Sequence, residues 1–142
     1  MTEPSPRTRI LAECTRRGRT DFAADCAHLI EGGEPDDAFV RVLGGRTAPW
    51  WFANREDDDL SYWPRVWAAR GLLWAWDDTA LPAIRTATRD PAWRVREMAA
   101  KVVARNLVGD ALDDIAPLRE DPVRRVRVAA TRAVATLTAQ SA

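Results

Sequence analysis

A segment of this chain repeats itself after 31 residues, and that period restricts the fold more than any other property of the sequence. Asp90-Pro91-Ala92-Trp93-Arg94-Val95-Arg96 returns as Asp121-Pro122-Val123-Arg124-Arg125-Val126-Arg127. Ala99-Ala100-Lys101-Val102-Val103-Ala104 aligns in the same way with Ala130-Thr131-Arg132-Ala133-Val134-Ala135, and Leu81 and Ile84 with Leu112 and Ile115. A more divergent copy lies a further 31 residues upstream: Asp59, Arg65 and Ala68-Ala69-Arg70 hold the places of Asp90, Arg96 and Ala99-Ala100-Lys101. Trp50 and Ala53 fall where Leu81 and Ile84 sit. Units of this length cannot bury an apolar face alone, so neighbouring copies must stack.

Each copy reads as two helices. Thr79 and Asp110 share a register and predict N-caps for the first helix. Asp90 and Asp121 predict caps for the second, with Pro91 and Pro122 at its first position, where a missing amide costs nothing. Val95, Ala99, Val102 and Asn106 then form one stripe at helical spacing, with Val103 beside it; Val126, Ala130, Ala133 and Leu137 form the equivalent stripe. Small residues dominate both, which lets helices approach closely. Upstream the period fades, while Gly32-Gly33 and Gly44-Gly45 still read as helix stops. The expected pairs are 21–31 with 35–43, 49–57 with 61–75, 79–88 with 91–106, and 110–119 with 122–138. Residues 1–6 read as a flexible tail, 7–17 as an added capping helix, and 7–142 as a single domain.

Composition agrees with a folded chain: 46% hydrophobic and 30% charged residues are globular proportions. The 21 basic and 21 acidic residues cancel, so no global field draws the chain to nucleic acid or membrane. Locally the charges separate. Residues 50–78 carry 3 basic and 6 acidic groups, residues 79–142 carry 11 and 7. The start has no signal-peptide pattern, and no apolar run reaches the roughly 18 residues that span a bilayer. Cys14 and Cys26 are too few for a disulfide framework. A cytoplasmic location without membrane contact is the expectation.

The Asp-Pro-x-x-x-Val-Arg run followed by Ala-Ala and a branched residue resembles the short HEAT-like repeat, the variant also found in phycobilin lyases. The resemblance is strongest over residues 79–138 and weaker over 48–78. It implies an all-α fold, a right-handed α-solenoid of about four antiparallel helix pairs, of the kind seen in short bacterial scaffolds. It also implies a concave surface lined by the second helix of each pair, on which partners bind.

Two sets of residues stand out. The first is a ladder, Asp59, Asp90 and Asp121 with Arg65, Arg96 and Arg127. It obeys the period, so it reads as architecture: each aspartate caps its helix and pairs with a nearby arginine. The second departs from the period. Six of the seven tryptophans lie between residues 50 and 76. Trp63, Trp67, Arg70 and Trp74 share one face of their helix, about 120° from the apolar stripe. The next copies carry Arg94, Met98, Lys101 and Arg105 at these positions, then Arg125, Ala129, Arg132 and Thr136. The expectation is a strip, aromatic at one end and basic at the other, that binds an acidic protein or peptide. The competing reading buries the tryptophans in the core, and it is the stronger one for Trp67.

Chemistry is not expected. Asp57-Asp58-Asp59, Asp77-Asp78 and Asp113-Asp114 sit at helix starts, where the macrodipole favours acids, and adjacent aspartates point apart. His28 lacks partners at metal-ligand spacing, and no glycine loop opens a helix to hold phosphate. No cofactor or metal is expected. The alternative is a nucleic-acid binder, in its extreme form a relative of the HEAT-like alkylpurine glycosylases, echoed by Trp50-Trp51 with Asp57. A bilin lyase follows from family analogy alone. A homodimer is the further expectation, because no polar capping helix follows residue 138.

Overall fold

The computed structural model describes residues 2–140; Met1 of the expected tail and residues 141–142 of the expected domain lie outside them. The described chain is helical throughout, with no strand among these residues. Helix α1 (Pro6–Arg17) starts on Ser5, whose hydroxyl accepts from the Thr8 amide, with Pro6 at its first position. Glu3, inside the expected tail, pairs with Arg46 at 2.9 Å. Gly18, at φ 91°, turns the chain directly into α2 (Arg19–Ile30). Helix α3 (Asp37–Gly44) is capped by Asp36 and closed by Gly45 at φ 58°. At φ 58° and ψ −127° the Gly45 backbone favours glycine, and a Cβ there would also crowd the Arg9 guanidinium.

The remaining helices are α4 (Ala48–Ala53), α5 (Trp63–Trp74), α6 (Leu81–Ala87), α7 (Trp93–Asn106), α8 (Leu112–Ile115, continued by a 3-10 run Ala116–Glu120) and α9 (Arg124–Gln140). Helices α7 and α9 begin two residues after the expected Pro91 and Pro122. The reason is local: Asp90 and Asp121 do not cap the helix itself but form a turn before it, accepting from the amides of Ala92 and Val123 at 2.8 and 2.9 Å. Thr79 and Asp110 likewise sit inside 3-10 turns, Asp78–Ala80 and Gly109–Ala111; Asp77 supplies the side-chain cap of the first.

Helices α5, α7 and α9 pack side by side, with α6 against α7 and α8 against α9, as the two downstream pairs require. The stripes Val95–Ala99–Val102–Val103 and Val126–Ala130–Ala133–Leu137 are buried between them. Asn106, on the same stripe, donates to the Leu72 carbonyl at 3.1 Å and so ties α7 to the end of α5.

Upstream the pairing differs from the one expected. Helix α2 packs chiefly on α5 and α6, α3 packs on α1 and α5, and the short α4 lies on α3. The apolar faces explain the exchange. Phe22, Ala23, Cys26, Leu29 and Ile30 give α2 a wide stripe that is 4% exposed or less, whereas α4 buries only Ala48 and Trp51. Gly71 of α5 receives α2 closely, since a Cβ there would meet the Phe22 ring at 3.2 Å and the Cys26 Sγ at 3.3 Å. No helix among the described residues is long and apolar enough to cross a membrane.

Candidate functional site

The ladder forms, and it runs between repeats. Arg65 on α5 reaches Asp90 before α7, with Nε and Nη2 donating to the two carboxylate oxygens at 2.7 and 3.1 Å. Arg96 on α7 reaches Asp121 before α9 in the same bidentate way, at 2.8 and 3.2 Å. The remaining nitrogen of Arg96, Nη1, donates to the carbonyls of Asp90 and Pro91 in its own repeat. Asp121 feels opposing influences. Burial alone would raise its carboxyl, but the Arg96 hydrogen bonds with the Val123 amide and the Arg127 charge outweigh this and hold it below its ordinary value. Asp59 stands apart: its turn is capped by Asp57, and its own carboxylate is exposed.

The tryptophan face is divided between core and surface. Trp67 is 3% exposed; Trp51 meets its ring edge-on at a centroid distance of 6.4 Å, and the backbone of Gly44 lies against it. It is part of the core because α3 and α4 cover that side of α5. Arg70, one turn on, points to the C-terminus of α3, where it and Arg9 both donate to the Leu43 carbonyl. Burial, and then the neighbouring Arg9 charge, lower the Arg70 pKa, and its buried Nε has no hydrogen-bond partner among the described residues. Trp63, Trp74 and Met98 are half-buried against the core. The strip is therefore interrupted at Trp67 and Arg70, and only Trp63 continues into the basic portion.

That continuation is made by cations on aromatic faces. Arg94 lies over the rings of Trp93 at 4.3 Å and Trp63 at 5.4 Å, and Arg125 lies over Trp93 at 5.1 Å. Beyond them α7 and α9 enclose an open groove of about 660 Å³, lined by Glu97, Lys101, Ala104 and Arg105 from α7 and by Arg124, Arg125, Val128, Ala129 and Arg132 from α9. Glu97 is the one acid in it, 7% exposed and already engaged: Arg125 grips it bidentately at 2.9 and 3.1 Å, and Lys101 stands 3.7 Å away. Arg105, Arg124 and Arg132 are exposed and have no carboxylate partner among the described residues. The groove thus offers surplus positive charge over a floor of small apolar side chains.

Of the residues singled out in the sequence, the structure brings Lys101, Arg105, Arg125 and Arg132 together in this groove and sets Arg94 and Trp63 at its approach. Glu97, Trp93, Arg124 and Val128 belong to the site and escaped the sequence reading. Glu97 had a signal, since it is a charge standing where the neighbouring copies carry Val66 and Val128.

Outside the groove, several of the side chains singled out in the sequence make local structural contacts. Trp51 Nε1 donates to the Leu60 carbonyl, and the exposed Asp57 accepts from the Asp59 amide. Trp50 is 47% exposed. His28 Nε2 lies 3.1 Å from the Glu34 carbonyl oxygen. Cys14 and Cys26 are buried free thiols, and burial pushes Cys26 well above its ordinary pKa. Among the described residues there is no group of three or more His, Cys, Asp or Glu side chains placed to hold a metal ion. Compared with protein-family models, with curated proteins and with solved structures, the chain matches none.

Proposed function

We propose that this chain is a non-catalytic interaction module of the HEAT-like type, a short α-solenoid whose second helices α5, α7 and α9 form the binding face and whose α7/α9 groove takes an acidic peptide segment. The observation that carries the reading is the charge imbalance of the groove: Arg105, Arg124 and Arg132 are exposed without carboxylates while Glu97 is already held by Arg125 and Lys101. A volume of about 660 Å³ suits a few side chains. Ala104, Val128 and Ala129 offer apolar contact between the charges.

A single-stranded nucleic acid would use the same cations and would also draw on open aromatic faces for base stacking. Those near the groove are already engaged: Trp63 meets the tilted rings of Tyr62 and Trp67 and has Arg94 over it, and Trp93 carries both Arg94 and Arg125. The peptide reading is therefore preferred.

Fluorescence anisotropy of a labelled peptide of alternating glutamate and leucine tests it. Binding should fall as salt is raised from about 50 to 500 mM. Arg105→Glu with Arg132→Glu should weaken it at least roughly tenfold with unchanged far-UV circular dichroism. Undiminished binding by that variant, or tighter binding of an oligonucleotide of equal charge, overturns the reading.

A further inference from the structure

Three arginines occupy the ladder register, and only two close on an aspartate. Arg127 is fixed as Arg96 is. Its Nη1 donates to the carbonyls of Asp121 and Pro122 at 2.8 and 3.1 Å, the same distances that hold Arg96 Nη1 on Asp90 and Pro91. Because a guanidinium is planar, anchoring Nη1 also aims the opposite edge. In Arg65 and Arg96 that edge, Nε and Nη2, receives a carboxylate. In Arg127 it meets none among the described residues. Around it the outer side of α9 forms a shallow hollow of about 480 Å³ that includes Arg119, Arg124 and Arg132, the exposed Val128, and no acid.

The opposite deficiency exists in the same register. Asp59 precedes Arg65 as Asp90 precedes Arg96, but Glu34 stands where the period would place the arginine to grip it. Its carboxylate is exposed and without a partner among the described residues, within the exposed run Glu56-Asp57-Asp58-Asp59. An aspartate without its arginine and an arginine without its aspartate are complementary. We propose that Arg127 of one copy docks Asp59 of a second copy, closing between chains the rung that is open within each, with the acidic run set in the arginine hollow. The contact joins two different surfaces, so it propagates head to tail. It uses the outer side of α9, whose hollow shares Arg124, Val128 and Arg132 with the α7/α9 groove, while Arg127 itself lines only the hollow.

Sedimentation velocity of the full chain tests this. At about 50 mM NaCl the weight-average mass should rise with concentration above that of one chain, and at about 500 mM it should return to it. Asp59→Asn and Arg127→Gln should each weaken association about tenfold or more. An equimolar mixture of the two variants should form a 1:1 complex and nothing larger, because one carries the only intact Asp59 and the other the only intact Arg127. Asp59→Asn changes an exposed side chain and decides the matter even if Arg127→Gln fails to fold. A wild-type chain that stays monomeric at low salt, an Asp59→Asn variant that associates like wild type, or a mixture without the 1:1 complex overturns the proposal.

Discussion

Replacing the ladder arginines one at a time by methionine separates what an ion pair contributes from what a backbone anchor contributes. Arg96 makes both kinds of contact: a bidentate pair with Asp121, and Nη1 bonds to the Asp90 and Pro91 carbonyls. The pair is largely removed from water, with side-chain exposures of 15% and 4%. Methionine keeps most of the apolar stem but leaves the Asp121 carboxylate buried with the Val123 amide as its remaining donor. Stranding one partner of a fully buried pair costs about 3–5 kcal/mol; with Arg96 partly exposed, about 3 kcal/mol is expected. Arg65→Met should cost a similar amount, since its pair with Asp90 has exposures of 23% and 5%. Arg127→Met loses backbone contacts and a charge near Asp121 but strands no bidentate carboxylate, and should cost about 1 kcal/mol.

Urea unfolding followed by circular dichroism, in dilute protein, measures all three, provided the m-values agree. Linkage adds a pH signature. Asp121 is held below its ordinary value of 3.8, so its contribution is fully present above that value and is lost as pH falls further. The gap between wild type and Arg96→Met should therefore narrow below about pH 4. Equal costs for Arg127→Met and Arg96→Met, or a gap that persists in acid, would refute the view that the carboxylate pairs hold the repeats together.

Two further substitutions follow from local geometry. Leu107 ends α7 in the left-handed conformation, at φ 53° and ψ 49°, with its side chain 48% exposed; Leu107→Gly should stabilise by about 1 kcal/mol and raise Tm by roughly 2–4 °C, and a lower Tm would count against the cap being strained. Glu13 is held at a pKa of about 2, first by the Arg16 hydrogen bond and then, against the opposing effect of burial, by Arg17. Its contribution is present above the ordinary 4.5 and lost as pH falls toward about 2, so Glu13→Gln should cost about 2 kcal/mol at pH 7 and little at pH 2. A cost that does not change with pH contradicts that assignment.

The period made the downstream architecture legible because backbone turns and small-residue stripes repeat together. Every position of the stripes at Val95 and Val126 up to Val102 and Leu137 is buried as the spacing predicts. Two things were hidden. Arg65 and Arg96 pair 25 residues downstream, with the next copy's aspartate, because the contact is a property of stacking and not of one unit. Upstream, the spacing of α2, α3 and α4 gave their existence but not their partners. That choice rests on how much apolar face each can bury, and the six residues of α4 lose to the twelve of α2. Trp67 shares its azimuth with Trp63, yet only three-dimensional cover decides that one is core and the other half-exposed.

Departures from the period therefore differ in what they signify, according to what lies over them. Where Met98 and Ala129 become Trp67, the larger side chain is absorbed by the core, against Trp51 and the backbone of Gly44. Where Val66 and Val128 become Glu97, a charge is placed at a position that stays 7% exposed, and such a charge must find partners. It draws Arg125 across from α9 and Lys101 from one turn away. This neutralises Lys101 and Arg125, the second of which also lies over Trp93, and leaves Arg105, Arg124 and Arg132 as the uncompensated charge of the groove. Replacing Glu97 by the valine of its neighbours would thus free two cations and should spread anion binding toward Trp93, whereas replacing Arg105 or Arg132 removes the charge that Glu97 leaves exposed. A single buried acid in an otherwise basic groove acts as the element that decides which of its cations a ligand can reach.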